Sequence, residues 1–334
     1  IGENTEQTSA ARTESTVLEI AAGADVRGVA SAGTPGTLVI DRNGQIDATG
    51  TATNPIVFSS SKAAGNRAPG DWGGVVINGS APIQGGTASG EGGTGGFGGS
   101  VTDDNSGTLQ YAVVQFAGTL FTPDNELNGI VFQGVGSGTT VDHIQVHKNA
   151  DDGVEFFGGS VAVKNVLLTG IQDDGLDYDD GWTGSAQYVI IHMFGDGGNA
   201  IEADGDAPGT GDIPAADPIL ANFTIIGGGD AGPNFKSSAE GELWNSVLLD
   251  FDGTTALTET TETGDEPTIA YAGVGIQNGA TGDAADWQSA VGSNGNAEGI
   301  TASGFDLSTT APAYGGSVTG ATAQTLPATY KAGN

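Results

Sequence analysis

The chain has 334 residues, of which 59 are Gly and none is Cys, and its 41 acids against 9 bases give a formal net charge of −32. That balance excludes nucleic acid and anionic membrane surfaces as partners, because a polyanion gains no counterion-release energy from phosphates. The composition also excludes thiolate metal sites and collagen, and no apolar run approaches the ~18 residues of a membrane span. The expected partners of such a surface are cations, above all Ca²⁺, or neutral polymers; solubility in a salty medium is the plainer reading. A start at Ile1-Gly2-Glu3 without Met fits either a fragment or a chain whose signal peptide has been removed, and the latter implies an extracellular or cell-surface location.

Residues 1–15 are polar and are expected to cap the first rung of a repeating coil or to lie loosely against it. Short β-branched runs then succeed one another at 17–20, 24–29, 37–40, 45–48, 55–58 and 74–79. Steps such as Asn43-Gly44 separate them, as tight turns require. Residues 85–100 hold nine Gly and read as a projecting loop, within an insertion spanning 85–107. Wall strands resume at 111–116, 141–146, 161–168, 188–194, 223–226 and 243–249. Ile144 to Val166 is 22 residues, Val166 to Ile190 is 24 and Ile225 to Val247 is 22, whereas Ile190 to Ile225 is 35. The excess matches a second insertion at 204–217.

One segment carries the period most clearly. Asp151-Asp152-Gly153-Val154-Glu155 returns as Asp173-Asp174-Gly175-Leu176-Asp177-Tyr178-Asp179-Asp180, and again, degraded, as Asn199-Ala200-Ile201-Glu202-Ala203-Asp204. Asp152 to Asp174 is 22 residues and Asp174 to Asn199 is 25; Asn128 stands 24 before Asp152. Repeats of this length with short apolar runs indicate a solenoid. The fold class is therefore all-β, a single right-handed parallel β-helix with rungs of 22–25 residues. Its parts are a cap or arm at 1–15, the helix at 16–250, and last coils at 251–334 with a polar acidic loop at 258–263, a short helix near 284–291 and a loose cap. Asn128, Asn149, Asn165, Asn199, Asn222 and Asn245 suit side-chain ladders at its corners.

The stretches 50–58 and 70–83, together with 153–159, 174–184 and 323–327, resemble secreted bacterial surface proteins built on a right-handed parallel β-helix, many of them lipoproteins. The resemblance spans roughly residues 16–330 and implies location and fold but no activity. The chain departs from the lipoprotein members in having no cysteine anchor.

The candidate metal ligands are Asp152, Glu155, Asp173, Asp174, Asp177, Asp179, Asp180, Glu202 and Asp204, with Asp206 beside them. Stacked about 4.8 Å apart, unscreened carboxylates repel. Ca²⁺, which takes six to eight oxygens in irregular geometry, would relieve that repulsion. A solvated acidic corner with local turn hydrogen bonds is the alternative, since neither an EF-hand loop nor tandem nonapeptides are present. Asp173 and Asp174 could instead act as the acid and base of a glycan-cleaving enzyme. Such an enzyme needs cations for an acidic sugar, and only Lys148, Lys164 and Lys236 are near, with no Arg after Arg67.

His143 and His147 share a strand face, but two ligands are too few for structural zinc; His192 reads as a packed wall residue. Trp72, Trp182, Trp244 and Trp287 either form a sugar-stacking platform, with Trp182 the leading candidate, or pack beneath loops. Together these residues point to a secreted structural or adhesive surface protein, calcium-stabilised, non-catalytic and self-assembling head to tail into filaments. The alternatives are a polysaccharide hydrolase or lyase, or a non-catalytic module that binds extracellular glycan.

Overall fold

The computed structural model describes residues 16–277, apart from 32–34, 123–124, 206–215, 237, 252–254, 262–265 and 273. Two long parallel walls run through it. In the first, strands Thr16–Ile20, Gly44–Thr49, Gly107–Gln115, Thr140–His147, Ala162–Thr169, Ser185–His192, Ile219–Ile226, Glu240–Trp244 and Thr268–Ala272 pair in that order. In the second the order is Leu38–Ile40, Val75–Asn78, Ile130–Gln133, Val154–Phe157, Leu176–Asp179, Asn199–Ala203, Ala231–Lys236 and Thr258–Thr260. Each strand lies parallel to its neighbour, so the chain passes from wall to wall and returns one level on. This is a parallel β-helix. Crossovers between parallel strands of one sheet are right-handed in nearly all cases.

The long strands of the first wall bend at a single residue. Tyr111, His143, Asn165, Tyr188 and Asn222 all have φ between 48° and 60° and all drop out of the pairing register. Asn and His accept this conformation more readily than most residues, whereas bulky Tyr rarely does. Of the six Asn expected at corners, Asn165, Asn222 and Asn245 have the positive φ of these bends, and Asn128, Asn149 and Asn199 do not. Side chains on either side of a bend point inward together and build the core. Val154 and Phe156, Leu176 and Tyr178, and Ile201 and Ala203 face them from the second wall. The rings of Phe132 and Phe156 stack at 5.3 Å, and Trp182 continues the column at 3.9 Å from Phe156.

Three expectations change. Ile144 pairs with Val166 as the spacing predicts, but Val166 pairs with Val189, and Ile190 with Thr224. Val189, Ile190 and Ile191 are all apolar and all buried, so the pattern cannot show which of them faces inward. The glycine-rich insertion does not project. It forms a hairpin, Ala88–Gly90 with Gly95–Phe97, folded onto the second wall, where Phe97 is buried and Asn78 Nδ2 donates to the Thr94 carbonyl (2.8 Å). The insertion ends before Gly107, which opens a wall strand, and a second hairpin follows at Leu120–Thr122 and Asn125–Glu126. Thr258–Thr260 is no loop but a strand of the second wall, paired with Ala231–Lys236. The expectations for 1–15, for 278–334 and for most of 204–217 fall outside the described residues.

Candidate cation site on the second wall

The repeat Asp-Gly-apolar-acid positions the site. Gly129, Gly153 and Gly175 stack at the entrance to successive strands. A Cβ at Gly129 would lie 2.6 Å from the Gly153 carbonyl oxygen, and one at Gly153 2.5 Å from that of Gly175. No side chain fits there, so the backbone of each rung closes on the next and the flanking acids are drawn into one column. Val131, Glu155, Asp177 and Glu202 are in register on the wall's outer face, because Val154/Phe156 and Leu176/Tyr178 take the inner one.

The turn acids are tied rung to rung. Asp152 Oδ1 accepts the backbone N–H of Asp174 (2.9 Å), and Asp174 Oδ1 accepts that of Asn199. Amide side chains stand at the two ends of the column: Asn128 donates to Glu155 Oε2, and Asn199 donates to Glu202 Oε1 (3.0 Å). Lys236 comes next, 2.7 Å from Glu202 and 3.3 Å from Asp204. Between these ends, Asp152 and Glu155 are 8% and 7% exposed, and Asp177 Oδ1 is inaccessible to solvent without a hydrogen-bond partner.

Two groups of carboxylates converge there. One oxygen each from Asp151, Asp152 and Asp173 lie within 4.8 Å of one another, and so do oxygens of Asp152, Glu155 and Asp177. Asp152 belongs to both. Burial first, and then the neighbouring negative charges, raise Asp152, Glu155 and Asp177 well above the usual carboxylate range. Burial, with Glu202 beside it, pushes Asp174 up to about 8; burial and Asp173 push Asp151 up to about 7. Asp173 is raised by burial, against the pull of Lys236. Glu91, in the first inserted hairpin, is pushed up to about 7 by burial and by Glu126 of the second. Asp152, Glu155, Asp174 and Asp177 therefore favour holding a proton or meeting a cation near neutral pH.

Of the nine sequence candidates, the structure brings Asp152, Glu155, Asp173 and Asp177 into the two groups, and places Asp174 and Glu202 against them. Asp204 is engaged by Lys236 instead. Asp179 and Asp180 lie at the strand's far end in neither group; Asp179 Oδ1 accepts the Asp180 N–H (2.6 Å), and the Asp180 carbonyl accepts the Gln84 N–H. Asp206 lies outside the described residues. Sequence reasoning missed Asp151, although it occupies the place in its repeat that Asp173 occupies in the next. Glu91 and Glu126 lie on insertions, where no period could place them.

The other candidates resolve as structure. Trp182 is fully buried, its Nε1 donating to the Val161 carbonyl (3.1 Å), so it offers no sugar platform. Trp72 and Trp244 are also buried, and Trp287 lies outside the described residues. His143 and His147 do not share a site: His143 Nδ1 meets Asp142 Oδ1 (2.8 Å), and His147 Nδ1 meets Thr169 Oγ1 (2.7 Å). Burial, then Lys148, holds His147 down at about 4. His192 is half-buried against Phe194.

The donor set is all oxygen, which suits Ca²⁺, Mg²⁺ or Mn²⁺ rather than a metal preferring nitrogen or sulfur. The orphaned Asp177 Oδ1 fits that assignment. A parallel β-helix with a buried acidic seam on one outer wall is thus the class that fold and site define. The family model of the pectate-lyase-like β-helix domain matches residues 7–316, and the chain belongs to that family. No curated protein and no solved structure matches it. No described helix is long and apolar enough to cross a membrane.

Proposed function

We propose that the chain is an extracellular, non-catalytic β-helix whose acidic seam binds Ca²⁺ and is stabilised by it. The observation that carries this reading is the pair of three-carboxylate groups sharing Asp152, with one buried oxygen left without a partner. In water-poor surroundings such a column costs free energy until its charge is neutralised. Among the described residues, Lys236 forms its ion pairs at the Glu202–Asp204 end and reaches Asp173 only at longer range. A divalent ion held by Asp152, Glu155 and Asp177, and a second held by Asp151, Asp152 and Asp173, would neutralise the remainder. Calorimetric titration with Ca²⁺, and melting with Ca²⁺ and then with excess EDTA, test this. Ca²⁺ raises the melting temperature, EDTA reverses the rise, and Asp152→Asn with Asp177→Asn removes it. An unchanged melting temperature sinks the reading.

A second reading is cleavage of a polysaccharide. Family membership favours it, and so does a carboxyl at Asp174 that holds its proton to about pH 8 beside ionisable Asp173, as general acid catalysis asks. Against it stands the scarcity of bases to hold an acidic sugar. Incubation with polygalacturonate and a panel of neutral glycans decides: products that appear with the wild type and vanish with Asp174→Asn support catalysis.

A further inference from the structure

We propose that the two inserted hairpins form a clasp over one end of the acidic seam, which closes on the bound Ca²⁺ and sets how fast the ion leaves. The inference rests on the cation reading above and adds its regulation. The first hairpin follows strand Val75–Asn78 and the second precedes strand Ile130–Gln133; these strands are parallel neighbours. The hairpins therefore start from opposite ends of the second wall. Their tips meet over its outer face. The Gly92 N–H donates to Asn125 Oδ1 (2.7 Å), and a Cβ at Gly92 would lie 2.8 Å from the Phe121 ring.

Each hairpin has its own apolar anchor. Phe97 of the first is buried, with its ring 6.1 Å from that of Phe157; Phe121 of the second, and Leu127 just after it, pack with Val76 and Val131. Val131 pairs with Glu155, so the apolar ground ends where the acids begin. Acids of both hairpins meet at that boundary. The charge of Glu126 raises Glu91, that of Glu91 raises Glu155, and both raise Asp151. Asp151 is itself tied to the second hairpin: a Cβ at Gly118, just before it, would lie 2.6 Å from the Asp151 backbone nitrogen. Apolar anchors hold the hairpins in place while like charges part their tips, so the joint opens without a cation and closes with one. Asp151, Asp152 and Asp173 alone leave Ca²⁺ short of its usual six to eight oxygens unless all three bind through both oxygens; Glu91 and Glu126 are the carboxylates that the clasp adds.

Hydrogen exchange at the Gly92 amide reports the contact between the tips, and stopped-flow mixing of the Ca²⁺-loaded chain with a fluorescent Ca²⁺ chelator reports release. Ca²⁺ is expected to slow exchange at Gly92 by about tenfold relative to the chain in EDTA. Glu91→Gln with Glu126→Gln and, separately, Asn125→Ala are expected to speed release by about tenfold. Asn125→Ala changes no charge, so its effect comes from the contact alone. Calorimetric titration of each protein with Ca²⁺ separates the outcomes. If the wild type binds no Ca²⁺, seam and clasp fall together. If it binds, but exchange at Gly92 ignores the ion, the clasp falls and the seam stands; this measurement needs no substitution and decides even where a variant fails to fold. Faster release from the glutamine variant alone makes Glu91 and Glu126 plain ligands and likewise overturns the clasp.

Discussion

Asp152 and Asp174 are linked across one rung: the carboxylate of the first accepts the backbone N–H of the second at 2.9 Å. The same carboxylate lies within 4.8 Å of oxygens on Asp151, Asp173, Glu155 and Asp177, in two separate groups. One side chain is thus both a structural tie and the shared member of the acidic seam.

Asp152→Asn keeps that tie, since an amide oxygen can accept the same hydrogen bond, but removes a buried charge from both groups. The variant is expected to melt higher than the wild type in EDTA. Its Ca²⁺ affinity falls by tenfold or more, a loss of about 1.4 kcal/mol for each factor of ten. Calorimetric titration together with melting curves measures both effects. A variant less stable in EDTA would mean that the carboxylates do not repel.

Stability of the metal-free chain should depend on pH across the neutral range. Asp151 and Glu91 titrate at about 7 and Asp174 at about 8 in the folded chain, against about 4 in an unfolded one. These folded-state values are raised, so the folded chain keeps protons that the unfolded chain releases. Their contribution is full below about pH 4 and is lost as pH rises to about 8. Urea unfolding in EDTA between pH 4 and 9 should therefore show decreasing stability. With saturating Ca²⁺ the slope flattens and binding releases protons, which calorimetry in buffers of different ionisation enthalpy detects.

Gly175→Ala should destabilise the coil. Its Cβ would lie 2.5 Å from the Ala200 carbonyl oxygen and 2.7 Å from Ile191 Cγ2. Overpacking of this kind costs about 1–3 kcal/mol. Denaturant melts with Gly65→Ala as a comparison, where a Cβ would meet nothing within 4 Å but the backbone φ is +85°, separate the steric part from backbone strain.

Trp182→Ala should cost about 3–5 kcal/mol of stability, because a buried ring stacked on Phe156 leaves a cavity. Any glycan affinity of the chain should survive in Trp182→Phe, which keeps most of the packing. Loss of binding in a Trp182→Phe protein that melts like the wild type would return this ring to the surface.

The fold was legible because the period is written in acids and glycines. The steps from Asn128 to Asp152, Asp174 and Asn199 agree with the pairing of the second wall. The first wall was less legible. Its buried runs are apolar on both faces, so a slip of one residue at Ile190 leaves no mark on the pattern. The site was legible to the same extent as the period. Asp152, Glu155 and Asp177 can be placed from it, whereas Glu91 and Glu126 approach from insertions whose docking depends on Phe97, Phe121 and Leu127 finding the wall. Trp182 misled because a ring beside acids suggests a ligand platform, and only the fold shows that it lies inside the coil.

The 22 residues from Asp152 to Asp174 also make the protein extensible. Because the glycine column fixes how one level closes on the next, an inserted copy of that unit would enter the coil as a complete level and keep every inward side chain inward. Each added copy would lengthen the molecule by about 4.8 Å and bring a further set of carboxylates. Total length and ion capacity would then rise in the same whole-number steps, so copy number alone would set both.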